Sequence, residues 1–153
     1  MDKGIYCLVF KNPGCTVRVG ALGEMHFQPG WHCYVGSALG SGGLKRLERH
    51  IRLAAQRDKR PKWHLDYLHT SPCFSLAYAV YAVTGDRLEC RLARELDSGD
   101  SGVPKFGSSD CTCTSHLFYR QQDPKGEIHA AFRCLRLEPV TKTIMSPNVK
   151  DNI

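Results

Sequence analysis

Residues 4–10, GIYCLVF, carry an apolar or aromatic side chain at every position after the glycine. In an extended chain alternate side chains point to opposite faces, so Ile5, Cys7 and Val9 face one way and Tyr6, Leu8 and Phe10 the other. A stretch that is apolar on both sides reads as a buried strand. Residues 73–83, CFSLAYAVYAV, read as a second, longer one. Residues 30–35 make another, with Tyr34 on the face opposite Cys33 and Val35. Between them KNPG at 11–14 is a turn, and CTVRVG at 15–20 alternates as a short strand.

Helical periodicity starts after the glycine-rich loop GSALGSGG, 36–43. Over 43–57, Leu44, Leu47, Ile51 and Ala54 form an apolar stripe, and Arg46, Arg49 and His50 fall on the far side. DKRPK, 58–62, breaks this helix at Pro61. WHLDYLH, 63–69, predicts a short helix. Residues 86–97 predict a helix capped by Asp86. Residues 98–115 read as a polar loop, 116–120 as a short strand and 127–137 as a helix. The expected organisation is one domain over 3–137, followed by a loose tail at 138–153.

The 153 residues are 42% apolar and 24% charged, which suits one domain with its own core and argues against a disordered chain. No apolar run reaches the roughly 18–20 residues of a membrane span. MDKGIYCLVF opens with an acid and carries no small-residue cleavage site, so we expect no secretory signal and a cytoplasmic location. The eight cysteines are then expected to be reduced, with Cys7, Cys33, Cys73 and Cys134 acting as small buried hydrophobes. The net charge of +6 favours a polyanionic partner, nucleic acid first.

Four groups of residues can carry chemistry. Tyr6 and Tyr34 sit on neighbouring strands if 4–10 and 30–35 pair. Gly36 and Ser37 then open a loop whose backbone can approach a phosphate, and Arg46 and His50 share one side of the helix that follows. The competing reading is two core tyrosines and a solvated basic helix. Glu89 falls within the apolar arc of Leu88, Leu92, Ala93 and Leu96, where a carboxylate needs a cation or a metal; Glu95 is second choice, and pairing of Glu89 with a nearby arginine is the plain alternative. Cys111, Cys113 and His116, with Cys90, offer a loose Cys₃His zinc set, against plain thiols in a rigid loop. Lys45, Arg46, Arg49, Arg52, Arg57, Lys59, Arg60 and Lys62 form a basic run beside Trp63, with only Glu48 and Asp58 opposing, which suits a phosphate backbone.

Gly4-Ile5-Tyr6 and Tyr34-Val35-Gly36 resemble the two tripeptides that name the GIY-YIG nuclease superfamily, and Arg46, His50 and Glu89 occupy the places of its catalytic set. YVGSALGSGGLKRLERH, WHLDYL, Glu89-Cys90 and FGSSDCTCTSHLF are similar to the small Uri-type branch, which occurs alone or fused to DNA-repair glycosylases. The resemblance spans roughly residues 3–120. It implies an α/β fold: a small, mostly antiparallel sheet of about three core strands flanked by helices. The long Tyr6–Tyr34 separation adds an extra hairpin at 11–30. The implied activity is metal-dependent endonucleolytic hydrolysis of DNA in repair or processing, and a DNA-repair enzyme is an implied partner.

In this reading Glu89 holds Mg²⁺ or Mn²⁺ and Arg46 stabilises phosphate charge. Tyr6 and Tyr34 position and help deprotonate water, and His50 is orienter or auxiliary base. All five should converge on one concave face. The asparagine that usually follows the glutamate is missing, since none lies between Glu89 and His116, and Ser108, Ser109 or Asp110 would have to replace it. A DNA-binding module that does not cut, and more distantly a zinc-stabilised adaptor, are the rival functions.

Overall fold

The computed structural model describes residues 2–57, 60–61, 63–97, 102–103, 106 and 115–144. The first strand, β1 (Gly4–Asn12), lies at the centre of a five-stranded sheet of order β6-β4-β1-β5-β7. Its neighbours are β4 (Gly30–Ala38) and β5 (Ser75–Val83), both antiparallel to it. These three are the core strands expected from sequence. The sheet is wider than that expectation because β6 (Leu117–Arg120) joins β4 and β7 (Val140–Thr143) joins β5.

The strand β7 corrects the reading of a loose tail for residues 138–144; residues 145–153 lie outside the described residues. Val140, Thr141 and Thr143 are β-branched, and the segment finds the open edge of β5 opposite Tyr78–Tyr81. It stays mostly exposed, as edge strands do, so little in its hydrophobicity announced it.

Alternation along β1 separates two cores. Ile5, Cys7 and Val9 pack with Cys33, Val35 and Val80 beneath α3 (Glu89–Leu96) and α4 (Lys125–Cys134). Tyr6, Leu8 and Phe10 pack beneath α1 (Lys45–Gln56) and α2 (His64–Thr70). The molecule is therefore an α/β sandwich of three layers. Arg120 ties one side together: its guanidinium donates to Glu127 on α4 from Nε at 2.9 Å and from Nη2 at 2.7 Å, and Nη2 also donates to the Leu96 carbonyl that ends α3. Tyr78 donates to Asp123 at 2.5 Å and ties β5 to the start of α4.

The expected hairpin is present as β2 (Cys15–Arg18) and β3 (Glu24–Phe27), joined through a 3-10 turn at Gly20–Leu22. Its apolar side closes the Tyr6-side core, where the Phe27 ring meets Phe74 edge-on at 5.1 Å.

That packing overturns the expectation of eight reduced thiols. Cys15 on β2 and Cys73 before β5 have Cα atoms 6.7 Å apart and form a disulfide across 58 residues of sequence. The hairpin brings them together, and nothing local in the sequence pairs them. Cys7 and Cys33 are buried as expected, whereas Cys134 is exposed. Chain-entropy arguments credit a loop of that length with up to about 4 kcal/mol. Cys15→Ser should therefore lower the melting temperature, by up to roughly 8–16 °C on the scale of a domain this size. Melts of wild type and variant, with and without a thiol reductant, check this: the variant should be indifferent to the reductant.

Candidate active site

The site starts from strand register. Tyr6 faces Gly36 across the β1–β4 ladder, and Leu8 faces Tyr34. Directly opposed residues share a face, so Tyr6 and Tyr34 are diagonal neighbours on the α1 side of the sheet. A Cβ on Gly36 would lie 2.5 Å from Tyr6 Cζ and 2.6 Å from its hydroxyl oxygen. Gly36 is thus glycine because the tyrosine ring occupies that space. It was read from sequence as a backbone that approaches phosphate; it is buried beneath Tyr6 instead. Gly4 has a parallel reason, since its Cβ would sit 2.5 Å from the Ala82 carbonyl oxygen.

Helix α1 begins one residue after Leu44, whose N–H is held by the Asp2 carbonyl at 2.8 Å. Its stripe of Leu44, Leu47, Ile51 and Ala54 faces the sheet as expected, and Lys45, Arg46, Arg49 and Arg52 point to solvent. His50 does not join them on the far side. It lies three residues after Leu47, on the inner flank, with its ring 5.7 Å from that of Tyr6.

Burial pushes the Tyr6 hydroxyl well above its ordinary range, helped by Tyr34 and Glu89, and the charges of Arg46 and Arg49 do not offset it. Tyr6 therefore keeps its proton. The same burial lowers His50 to about 4, with Arg46 and Arg49 acting in that direction and Asp66 opposing. His50 is neutral at pH 7.

Glu89 arrives from the other layer. The helix was expected from Asp86, but the Asp86 N–H bonds back to Thr84 Oγ1 at 3.1 Å in a tight turn, and α3 starts at Glu89. The carboxylate therefore stands in the first helical turn, where the helix dipole favours negative charge. It is not an unpaired charge in an apolar arc: His116 Nδ1 lies 3.0 Å from its Oε1. Burial raises the Glu89 carboxyl, but hydrogen bonds from His116 and Ser37 and the charge of Arg46 outweigh that and hold it below the usual carboxylate range. Glu95, the second choice, is exposed.

Two residues of this site escaped the sequence reading. His116 was noticed only as a zinc candidate; its backbone is fixed by Val35 N–H at 2.9 Å and by the Phe106 carbonyl at 2.8 Å, which aims it at Glu89. His69, on α2, is buried against His50 and was not singled out. It was read only as the last residue of the short helix predicted at 63–69, one position beyond the quoted WHLDYL.

The other calls divide. Cys90 Sγ lies 3.9 Å from His116 Nε2, whereas Cys111 and Cys113 lie outside the described residues, as do Lys59 and Lys62. Ser37, expected at DNA, serves Glu89. Arg57, also expected at DNA, takes a left-handed conformation at the end of α1 and donates to the carbonyls of Ala54 at 3.3 Å and Phe74 at 3.2 Å. Arg60 is exposed, as is Trp63 at 59%.

Among the described residues no cluster of three or more His, Cys, Asp or Glu side chains is arranged around a metal position. A hexahydrate-like ion such as Mg²⁺ asks for less: one carboxylate, waters and substrate oxygens are enough. Glu89 is ionised, its side chain is 29% exposed, and its two oxygens have lone pairs beyond those used by His116 and Ser37, so it fits that role.

The lowered Glu89 pKa has a consequence for stability. The contribution is present above about pH 4.5, the ordinary value, and is lost as pH falls through the lowered folded value. Glu89→Gln removes the titration. The wild-type melting temperature should fall more steeply than that of Glu89→Gln as the pH drops below about 4.5 and through the lowered folded value, and parallel curves there would show that the His116 pairing contributes nothing.

Among the described residues no helix is long and apolar enough to cross a membrane. No curated protein and no solved structure matches the chain. The family described as a domain of unknown function, DUF123, matches residues 5–137, which takes in every strand and helix of the site, and the chain belongs to that family.

Proposed function

We propose that this protein is a metal-dependent endonuclease of GIY-YIG type that hydrolyses DNA phosphodiester bonds. One observation carries the reading: the Tyr6 ring lies against Gly36 on β4 and 5.7 Å from the ring of His50 on α1, one register step from Tyr34, and the charge of Arg46 bears on Tyr6, His50 and Glu89. A buried phenol, a neutral imidazole, an ionised carboxylate and a guanidinium together are a poor structural cluster and a useful one for phosphoryl chemistry.

Glu89 is the residue to hold Mg²⁺ or Mn²⁺, which when bound would supply Lewis-acid polarisation of the phosphate. Arg46 balances the charge that grows on the phosphate oxygens. Tyr6, which keeps its proton, positions by donating its O–H. Tyr34, half-buried at the edge of the same face, orients the attacking water and helps take its proton. His50 stands beside Tyr6 as orienter or auxiliary base. Lys45, Arg46, Arg49 and Arg52 on the outer side of α1 meet the DNA backbone. A DNA-repair partner and a cytoplasmic setting accompany this reading, the Cys15–Cys73 bridge being an exception to the reduced thiols usual there.

A second reading, DNA binding without cutting, is favoured by one feature. His116 and Ser37 already engage the Glu89 carboxylate, and no asparagine follows before His116 to complete the usual set.

Nicking of supercoiled plasmid and of flapped or branched DNA, with Mg²⁺ or Mn²⁺ and with chelator, tests both. The wild type should cut only with metal. Glu89→Gln should lose orders of magnitude in rate while its DNA affinity holds or rises. If about four basic groups contact phosphates, log K against log salt should slope near −3.6 on duplex. Wild-type nicking by Glu89→Gln would overturn the catalytic assignment, and salt-dependent binding with no cutting would select the second reading.

A further inference from the structure

The Tyr6-side core buries a pair of histidines whose protons can be assigned by elimination. His69 on α2 is 1% exposed. Its ring stacks on that of His50 with centroids 5.2 Å apart and planes at 30°, and Phe10 covers it at 5.3 Å. His69 Nε2 and His50 Nδ1 lie 3.2 Å apart, close enough to share one hydrogen bond. Burial, joined by the neighbouring imidazole, lowers His69 to about 3, and burial lowers His50 to about 4. Each ring is therefore neutral at pH 7, with one N–H and one bare nitrogen.

Only two arrangements make the bond. If His50 Nδ1 donates, His69 must carry its own proton on Nδ1. That atom is fully buried and has no hydrogen-bond partner among the described residues, so the result is an orphaned N–H. If His69 Nε2 donates, the orphan is a bare lone pair instead. Orphaned buried N–H groups are the rarer and costlier defect. The second arrangement wins, and it leaves the His50 proton on Nε2.

We infer that His69 is a positioning residue: its Nε2–H fixes His50 as the Nε2-protonated tautomer, so that His50 offers a hydrogen-bond donor, and not a proton acceptor, beside Tyr6. The catalytic consequence rests on the nuclease reading. Of the two roles left open for His50, it selects the orienter. The bare nitrogen, Nδ1, is already spent on His69. His50 can donate to a phosphate oxygen or to the oxygen of Tyr6, and the proton of the attacking water goes elsewhere.

The test begins with the intact chain at pH 7, with ¹⁵N-labelled histidine. A proton shared between the two rings should show a one-bond coupling to His69 Nε2 and a through-hydrogen-bond coupling to His50 Nδ1. It should vanish in His69→Phe, which keeps a stacked ring and loses the donor. A proton covalently attached to His50 Nδ1 would overturn the inference, whatever the activity. That measurement needs no variant to fold. In nicking assays His69→Phe should lose roughly tenfold or more in kcat through misplacement of His50, with KM for DNA little changed. His69→Gln, whose amide N–H can stand near the Nε2 position, should recover most of it. Equal rates in His69→Phe and wild type would also overturn the positioning role. If the wild type cuts nothing but the coupling pattern is as expected, the nuclease reading fails and the tautomer assignment stands.

Discussion

The contact on which the site depends is the ring of Tyr6 over the backbone of Gly36. β1 is hydrogen-bonded on both sides, to β4 and to β5, so Tyr6 cannot move without disturbing the centre of the sheet. A side chain opposite it would meet the ring at 2.5 Å. The absence of a side chain there lets the phenol lie across β4. The hydroxyl is then buried, which holds its proton, and it comes within the fields of Tyr34, Arg46, Glu89 and Arg49. A larger residue at position 36 would force either the ring or the strand pairing to shift, and both would dismantle the same cluster.

Around that ring, polar groups are assigned to opposite states by their surroundings. Glu89 stays ionised because it begins a helix, faces Arg46 and accepts from His116 and Ser37. Tyr6 stays neutral because burial outweighs the pull of Arg46 and Arg49 toward ionisation, and the two histidines because they are buried together, with Arg46 and Arg49 adding to the effect on His50. The one negative charge of the group is also partly exposed, at 29% of its side chain.

Much of this scaffold was legible. Alternation in GIYCLVF separated the two cores correctly, since the strand is long and apolar on both faces. The i, i+3, i+7 stripe of α1 was also right. What escaped depended on tertiary partners. His50 was placed toward solvent because a helical wheel ranks polar residues outward, and only α2 shows that an imidazole fills the inner flank. Glu89 was placed mid-helix because the periodicity continues back to Asp86, whereas the Thr84 turn delays the helix by one turn. Cys15 and Cys73, 58 residues apart, are joined by a hairpin whose packing no local pattern encodes. β7 is short, polar and exposed, and exists because β5 had an edge to fill.

The same helix explains how a strongly basic protein keeps neutral groups at its centre. On α1, Lys45, Arg46, Arg49 and Arg52 are exposed, while His50, between two of them in sequence, turns inward. Burial against Tyr6 and His69 lowers His50, and the charges of Arg46 and Arg49 add to it against the pull of Asp66. The exposed arginines therefore act inward as well as outward. Neutrality of His50 keeps its Nδ1 available as an acceptor, which is the condition for the bond from His69. Outer charge and inner neutrality are two effects of one amphipathic helix. This is why the basic face and the buried phenol have to be considered together when either is altered.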